Sequence, residues 1–416
     1  MPFDGRDNFP QASRPRPHQD LRVTKPVSWR RWLYGATAVS VLLAGCGDRS
    51  QPGPEASRPA PAVARPVPTY APARWDELPA TDDHELLAGF LAWRSACQPR
   101  LARDPVWAGP CQAALQLPAE ASAVRRFLTS QLDLYRLQTP AGPVGLITGY
   151  YEPVYPGRLQ PDAHHQVPVY GVPEDMIVVA LDGQYPDLRG RRLRGRIEGR
   201  TLKPYEDAAT IRTRGIRAPV LAWLQDPMDL QFLQVQGSGR IRLADGHQLR
   251  LGYADQNGHP YRPVGRWLIE QDELAKDDVS MQRIRDWARA HPERVSALLD
   301  SNPSYVFFSL RPDSPEGPRG SLNVPLTAGY SVAIDRRVIP LGSLLWLASS
   351  RPDGQPLARP VAAQDTGGAI SGEVQADLFW GTGEAAGELA GAMKQPGQLW
   401  LLWPRGIALP EAPPGA

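Results

Sequence analysis

The stretch Gln364 to Trp380, QDTGGAISGEVQADLFW, sets two carboxylates, Asp365 and Asp377, around a run of small residues. Singly, Asp365 before Thr-Gly-Gly reads as a turn former whose side chain bonds its own backbone. The chemical alternative is acid–base work. A carboxylic acid can hold a proton near neutral pH when burial or a neighbouring charge raises its pKa. Other catalytic sets are missing from the sequence. It has no HExxH, no CxxC pair, no GxSxG and no Gly-rich loop followed by Lys-Ser or Lys-Thr. The seven His are scattered, and no metal site follows from spacing. Carboxylates, aromatics and Gly-rich turns remain. That inventory suits carbohydrate, which stacks on Trp and Tyr and whose glycosidic bond needs an acid to protonate the leaving oxygen.

Elements that would position such groups run from about Asp82. DDHELLAGFLAWRSACQ has helical spacing at Leu86, Leu87, Phe90, Leu91 and Trp93, and AEASAVRRFLTSQLDLYRLQ reads as a second helix, so a helical part extends to about residue 140. Residues 144–260 read as β-rich, with VGLITGYYEPVY, MIVVAL, LQFLQVQGSGRIRL and HQLRLGY bounded by Gly, Pro and Asp. ADGHQ reads as a hairpin connection. MQRIRDWARAHPERVSALLD is helical again. A second β-rich region follows with SYVFFSL, YSVAID, SLLWLAS, RPVAAQD and QLWLLWP. The expectation is two β-rich bodies with helices packed around them.

The 416 residues allow two domains, and a net charge of +2 with 22% charged residues gives no argument for nucleic acid. WRRWLYGATAVSVLLAGCGDRS has a positive flank at Arg30 and Arg31, then an apolar run from Trp32 to Ala44 of signal-peptide length. The run ends Leu43-Ala44-Gly45-Cys46, which resembles a bacterial lipobox and makes Cys46 the expected lipidation site. Gly47, rather than Asp, after the Cys points to the outer membrane. The stretch before Arg30 is long and polar for such a leader, which points to a start later than Met1. Residues 47–80, rich in Pro and Ala, read as a mobile tether. Cys97 and Cys111 remain in the mature chain, and export would allow them to bridge.

Four segments stand together: TGYYEP (Thr148 to Pro153), FLQVQGSGRI (Phe232 to Ile241) with GYADQNGHPYRPVGRWL downstream, AGYSVAIDRRVIPLGSLLWL (Ala328 to Leu347), and AAQDTGGAISGEVQADLFWGTG. In this order, behind a lipobox, they resemble the membrane-bound lytic murein transglycosylase A (MltA) family over about residues 85–405. The last two resemble its 3D domain, named for three aspartates, here Asp335, Asp365 and Asp377.

The resemblance implies a mainly β fold: a double-psi β-barrel with an inserted second β domain and a helical amino-terminal part. On this chain that gives a lipoprotein signal peptide over 1–45 and a lipidated Cys with tether over 46–83. The barrel takes 84–153 and 309–405, the insert 154–308 and a tail 406–416. It implies cleavage of the β-1,4 bond between N-acetylmuramic acid and N-acetylglucosamine of peptidoglycan, leaving a 1,6-anhydro ring, with no cofactor and no metal. It places the acid–base role on Asp377, with Asp365 and Asp335 as acidic neighbours raising its pKa. Thr148, Tyr150, Tyr151, Gln236 and Ser238 are candidates for a glycan groove, with Gly367 and Gly368 letting the backbone turn and approach the sugar. Tyr150 and Tyr151 are adjacent in a strand, so at most one faces the groove. Trp346, Trp380, Trp400 and Trp403 read as core. Partners implied are peptidoglycan strands, the outer membrane through the anchor, and cell-wall synthesis or division proteins. A non-catalytic peptidoglycan-binding lipoprotein and a hydrolase of the same bond are the alternatives.

Overall fold

The apolar strands of the carboxy-terminal third pair into a ring that is completed by one strand from far upstream. In the computed structural model the described residues are 69–410, apart from 99, 140, 182, 185–191, 369, 371 and 373. The ring strands are β1 (Gly145–Glu152), β2 (Ser331–Ile334), β3 (Leu344–Ser350), β4 (Pro356–Thr366), β5 (Gln375–Thr382) and β6 (Lys394–Pro404). Their order is β1-β6-β3-β4-β2-β5 and back to β1, a closed six-strand barrel. Pairs β2–β4 and β5–β1 are parallel; β2–β5, β3–β4, β3–β6 and β6–β1 are antiparallel. Closure pairs both edges of each barrel strand and keeps neighbouring residues in a fixed register. The core includes Ile147, Val332, Ile334, Leu345, Val361 and Leu401, all fully buried.

The helix Asp83–Arg94 lies on this barrel. Asp82 caps it by accepting from the Glu85 amide at 2.7 Å. Its face of Leu86, Phe90 and Trp93 is buried. Buried Gln364 on β4 donates to Ala92 O at 2.8 Å and accepts from Ser331 Oγ at 2.6 Å. Cys97 and Cys111 are bonded, with Cα atoms 5.2 Å apart, and join this helix to the helix Ala108–Leu115.

Two amino-terminal expectations differ from the fold. The second helix stops at Gln131, and Leu132–Gln138 is a strand beside β6. Buried Leu132 and Leu134 flank half-buried Asp133 at strand spacing, and Leu137 is buried further along. Thr69–Ala73, read as tether, pairs with that strand. Cys46, the signal peptide and the tether up to residue 68 lie outside the described residues.

Between β1 and β2 the chain builds a separate set of sheets. Strands Val154–Pro156, Ser238–Arg242, Gln248–Gln256 and Val306–Arg311 form one, and Val167–Tyr170 with Val220–Leu224 another. A third holds Ile177–Ala180, Arg192–Glu198 and Thr201–Pro204. The first two share a core of Val169, Leu224, Ile241, Leu251, Phe307 and Phe308. The run LQFLQVQ, read as strand, is instead the end of a helix, Pro227–Gln236. Asp226 accepts from the Met228 amide, Pro227 opens the first turn, and Gly237 at φ 72° closes the last. Apolar residues on several sides hid the helical period. All described residues belong to one compact unit, 63–416. No helix among them is long and apolar enough to cross a membrane.

Candidate active site

The barrel register brings the two carboxylates of the opening stretch to one place. Ala333 on β2 is the Cα partner of Asp377 on one side and of Asp365 on the other. Thr148 on β1 is the partner of Asp377 on its far side. The row Asp365, Ala333, Asp377, Thr148 therefore crosses four neighbouring strands, spaced about 4.8 Å apart. Alternation aims each carboxyl. Ala376 and Leu378 flank Asp377 and are fully buried, as is Gln364 before Asp365, while both aspartates are half-buried. A small apolar cluster of Tyr150, Leu326, Ala333, Ile370 and Phe379 packs alongside.

The two carboxyls have different partners. Asp365 accepts from the Ser321 amide at 2.9 Å, Ser321 Oγ at 2.9 Å, the Thr366 amide at 2.8 Å and Tyr150 Oη at 3.0 Å. Asp377 accepts from Thr148 Oγ1 at 3.0 Å. Burial raises both pKa values above the ordinary carboxylate value. For Asp365 the bonds from Ser321, Thr366 and Tyr150 oppose that rise. Asp377 has only Thr148 opposing it, and the charge of Asp365 adds to burial, so it is pushed up to about 7. The carboxyl with four donors has its anion better stabilised, and the one with a single donor keeps its proton to higher pH.

Asp335 stands elsewhere in this scheme. It lies one residue past β2, paired with Arg337 at 2.6 Å, and accepts from the Arg337 and Gly372 amides. Despite burial these bonds lower its pKa, and it is not among the groups that act on Asp377. Tyr150 turns its hydroxyl to Asp365. Tyr151 faces away and packs on Ala386 and Ala390 of the helix Glu384–Ala392. Gln236 reaches the same strand, its Oε1 accepting from the Tyr151 amide at 3.0 Å. Ser238 is half-buried at the start of its strand. Gly367 and Gly368 do not adopt left-handed backbone; the space beside Gly368 is open, and a Cβ on Gly367 would meet Ile370. Trp346, Trp400 and Trp403 are buried in the core, and Trp380 is half-buried under Arg351.

Three site features were not read from the sequence. Ser321, in PRGSLNVP, carries only a turn signal, and its part in holding Asp365 depends on a contact 44 residues away in the chain. Gly149, inside TGYYEP, is required because a Cβ would lie 2.7 Å from the Trp380 ring. Buried Glu152, from the same motif, pairs with Arg240 at 2.8 Å. Among the described residues no group of three or more His, Cys, Asp or Glu is placed to hold a metal ion.

Fold and site together define a barrel protein with two half-buried carboxyls, Asp365 and Asp377, on either side of one strand and a β-rich insertion after its first barrel strand. The family described as the MltA specific insert domain matches residues 146–309, and that described as the 3D domain matches residues 330–403. The membrane-bound lytic murein transglycosylase A of Escherichia coli K12 is 36% identical over 263 residues, 61% of this chain and 64% of that protein. The chain thus spans just under two thirds of the length of that curated relative. The crystal structure of MltA from Neisseria gonorrhoeae in its monoclinic form superposes with a TM-score of 0.70 at 33% identity, covering 84% of this chain and all of that one. E. coli MltA with bound chitohexaose superposes with a TM-score of 0.60 at 29% identity, covering 82% of this chain and 93% of that one. The chain belongs to the MltA family.

Proposed function

We propose that this protein is a peptidoglycan lytic transglycosylase with Asp377 as its single acid and base. The observation that carries the reading is the state of Asp377, half-buried on β5 beside Thr148 and pushed up to about 7. A group with a pKa near the working pH can both give and take a proton. Asp377 first donates to the glycosidic oxygen as the bond to C1 of the muramic acid breaks, and the N-acetylglucosamine leaves as the alcohol. Ionised, it then takes the proton of the muramic C6 hydroxyl as that oxygen bonds C1 and closes the anhydro ring. The nucleophile belongs to the substrate, so no second carboxylate is needed to activate water. The name of the E. coli relative and the chitohexaose held by E. coli MltA support the substrate class.

In this reading Asp365 supplies the neighbouring negative charge, and Tyr150 and Ser321 hold it ionised. Thr148, Gln236, Ser238, Gly367 and Gly368 border the glycan path. Residues 84–153 and about 309–405 act as the catalytic barrel and 154–308 as the second wall, although the insert's last strand runs on to Arg311. A lipid on Cys46 would hold the protein at the periplasmic face of the outer membrane, in keeping with the membrane-bound relatives. Recruitment by cell-wall synthesis or division proteins belongs to the same proposal.

The test is mass spectrometry of products released from purified peptidoglycan by the chain lacking residues 1–46, beside Asp377→Ala and Asp365→Ala. Muropeptides one water lighter than hydrolysis products, lost by about 10³-fold in Asp377→Ala, are expected. Products carrying the full water would instead make the protein a hydrolase. Retention on murein without release by folded wild type would leave only a binding protein.

A further inference from the structure

The chain crosses between barrel and insert twice, outward at Glu152-Pro153 and back through residues 312–317, and one pair of arginines holds both crossings. Arg240 and Arg250 are direct partners on antiparallel strands of the insert. Like charges in that relation repel, and both side chains are largely buried. Fixed acceptors offset this. Arg240 Nε donates to Glu152 Oε2 at 2.8 Å, its Nη2 to Glu316 O at 3.3 Å, and its amide to Pro153 O at 2.8 Å. Arg250 donates to Pro312 O at 3.3 Å, Glu316 O at 3.0 Å and Gly317 O at 2.9 Å. Glu152 is 1% exposed and also accepts from Thr382 Oγ1 at 2.8 Å. Its carbonyl accepts from the Gly383 amide at 2.9 Å.

The clamp reaches the catalytic strands directly. Glu152 faces Thr382 and Thr148 faces Asp377 on the same β1–β5 ladder. The two rungs are about 13 Å apart at 3.3 Å per residue. Any rotation of the insert against the barrel must break the Glu152–Arg240–Thr382 contacts or move the end of the strand that carries Asp377.

We infer that Arg240 and Arg250, with Glu152, are positioning residues that set the angle of the insert beside Asp377 and so the width of the glycan groove. The inference rests on the proposed transglycosylase reading for its kinetic consequence, but its geometric part stands alone. A wall held at a set angle contributes binding equally to bound substrate and transition state, so loosening it raises KM and leaves kcat.

The experiment uses the chain lacking residues 1–46, which keeps the compact unit beginning at Val63 intact. Glu152→Gln/Arg240→Gln removes both charges of the ion pair together and lifts the repulsion on Arg250, which keeps its three carbonyl acceptors. Arg240→Lys keeps the charge but loses the planar fork. Steady-state kinetics on soluble glycan strands are paired with distance distributions between spin labels at His247→Cys on the insert and Asp353→Cys on the barrel. Expected for the double variant are a KM raised about tenfold, kcat within about twofold, and a broadened distance distribution. Arg240→Lys is expected to fall between it and wild type. Asp377→Asn is expected to lose kcat with the distribution unchanged. A double variant with wild-type KM and an unbroadened distribution would overturn the inference. If wild type releases no anhydro product, the transglycosylase reading fails, and the distance distribution alone decides the clamp.

Discussion

Thr148 Oγ1 lies 3.0 Å from Asp377 Oδ1, and the two residues are direct partners on parallel strands whose chain positions are 229 apart. The hydroxyl donates to the carboxylate and so favours its ionised form, opposing the burial that pushes Asp377 up to about 7. The free protein must carry a protonated Asp377 to start the proposed reaction, so kcat/KM should fall as pH rises through about 7. Thr148→Val removes the opposing bond and should move this limb to higher pH. Thr148→Ser keeps the hydroxyl and should leave the limb in place. A pH–rate profile of the three proteins checks it; an unmoved limb in Thr148→Val would show that the hydroxyl does not tune the acid.

Asp365 acts on the same limb with the opposite sign. Its negative charge raises the pKa of Asp377, so Asp365→Asn should move the limb to lower pH. The loss should be small at pH 5 and roughly three- to tenfold at pH 8, since one pKa unit is tenfold in protonated fraction above the limb. Asp377→Asn should lose activity at every pH. Equal losses for Asp365→Asn across the range would instead give Asp365 a direct part in the chemistry.

The contrast between these aspartates also shows what the sequence carries. Asp365 and Asp377 were legible as candidates through the segments around them, and β2, β3, β4 and β6 were legible as apolar runs, whereas β5, which carries Asp377, was not among the runs read as strand. Which aspartate keeps its proton was not legible from spacing. It depends on four donors at Asp365 against one at Asp377, and two of the residues involved, Tyr150 and Ser321, approach from distant parts of the chain. The local partnership of Asp335 was not legible either: Arg337, two residues on, pairs with it and lowers its pKa. The helix Pro227–Gln236 was hidden because a buried helix and a buried strand are both apolar on more than one side.

Cys97 and Cys111 are fully buried against Phe90, Trp93 and Trp107, and their bond closes a loop with a sequence separation of 14. Cutting it frees that loop in the unfolded chain, and Cys97→Ala/Cys111→Ala should lose about 3 kcal/mol in denaturant unfolding. The pH limb set by Asp377 should stay where it is. An unchanged unfolding midpoint would mean that the surrounding aromatic packing holds this corner without the covalent link.

Asp377 also makes stability depend on pH. Its folded pKa, about 7, stands above the ordinary 3.8, so the folded protein binds this proton more tightly than the unfolded chain. The resulting stability is fully present below about pH 4 and is lost as pH rises through about 7, with an upper bound of about 4 kcal/mol from three units of pKa. Asp377→Asn keeps an oxygen for Thr148 but has no proton to lose. The variant should therefore gain on wild type between pH 4 and 7 and exceed it above pH 7. Asp335, with its lowered pKa, contributes in the opposite direction, but equally in both proteins, so the difference between the two curves isolates Asp377. Parallel curves from pH 4 to 8 would mean that Asp377 titrates as an ordinary carboxylate, and the acid would have to be sought at Asp365.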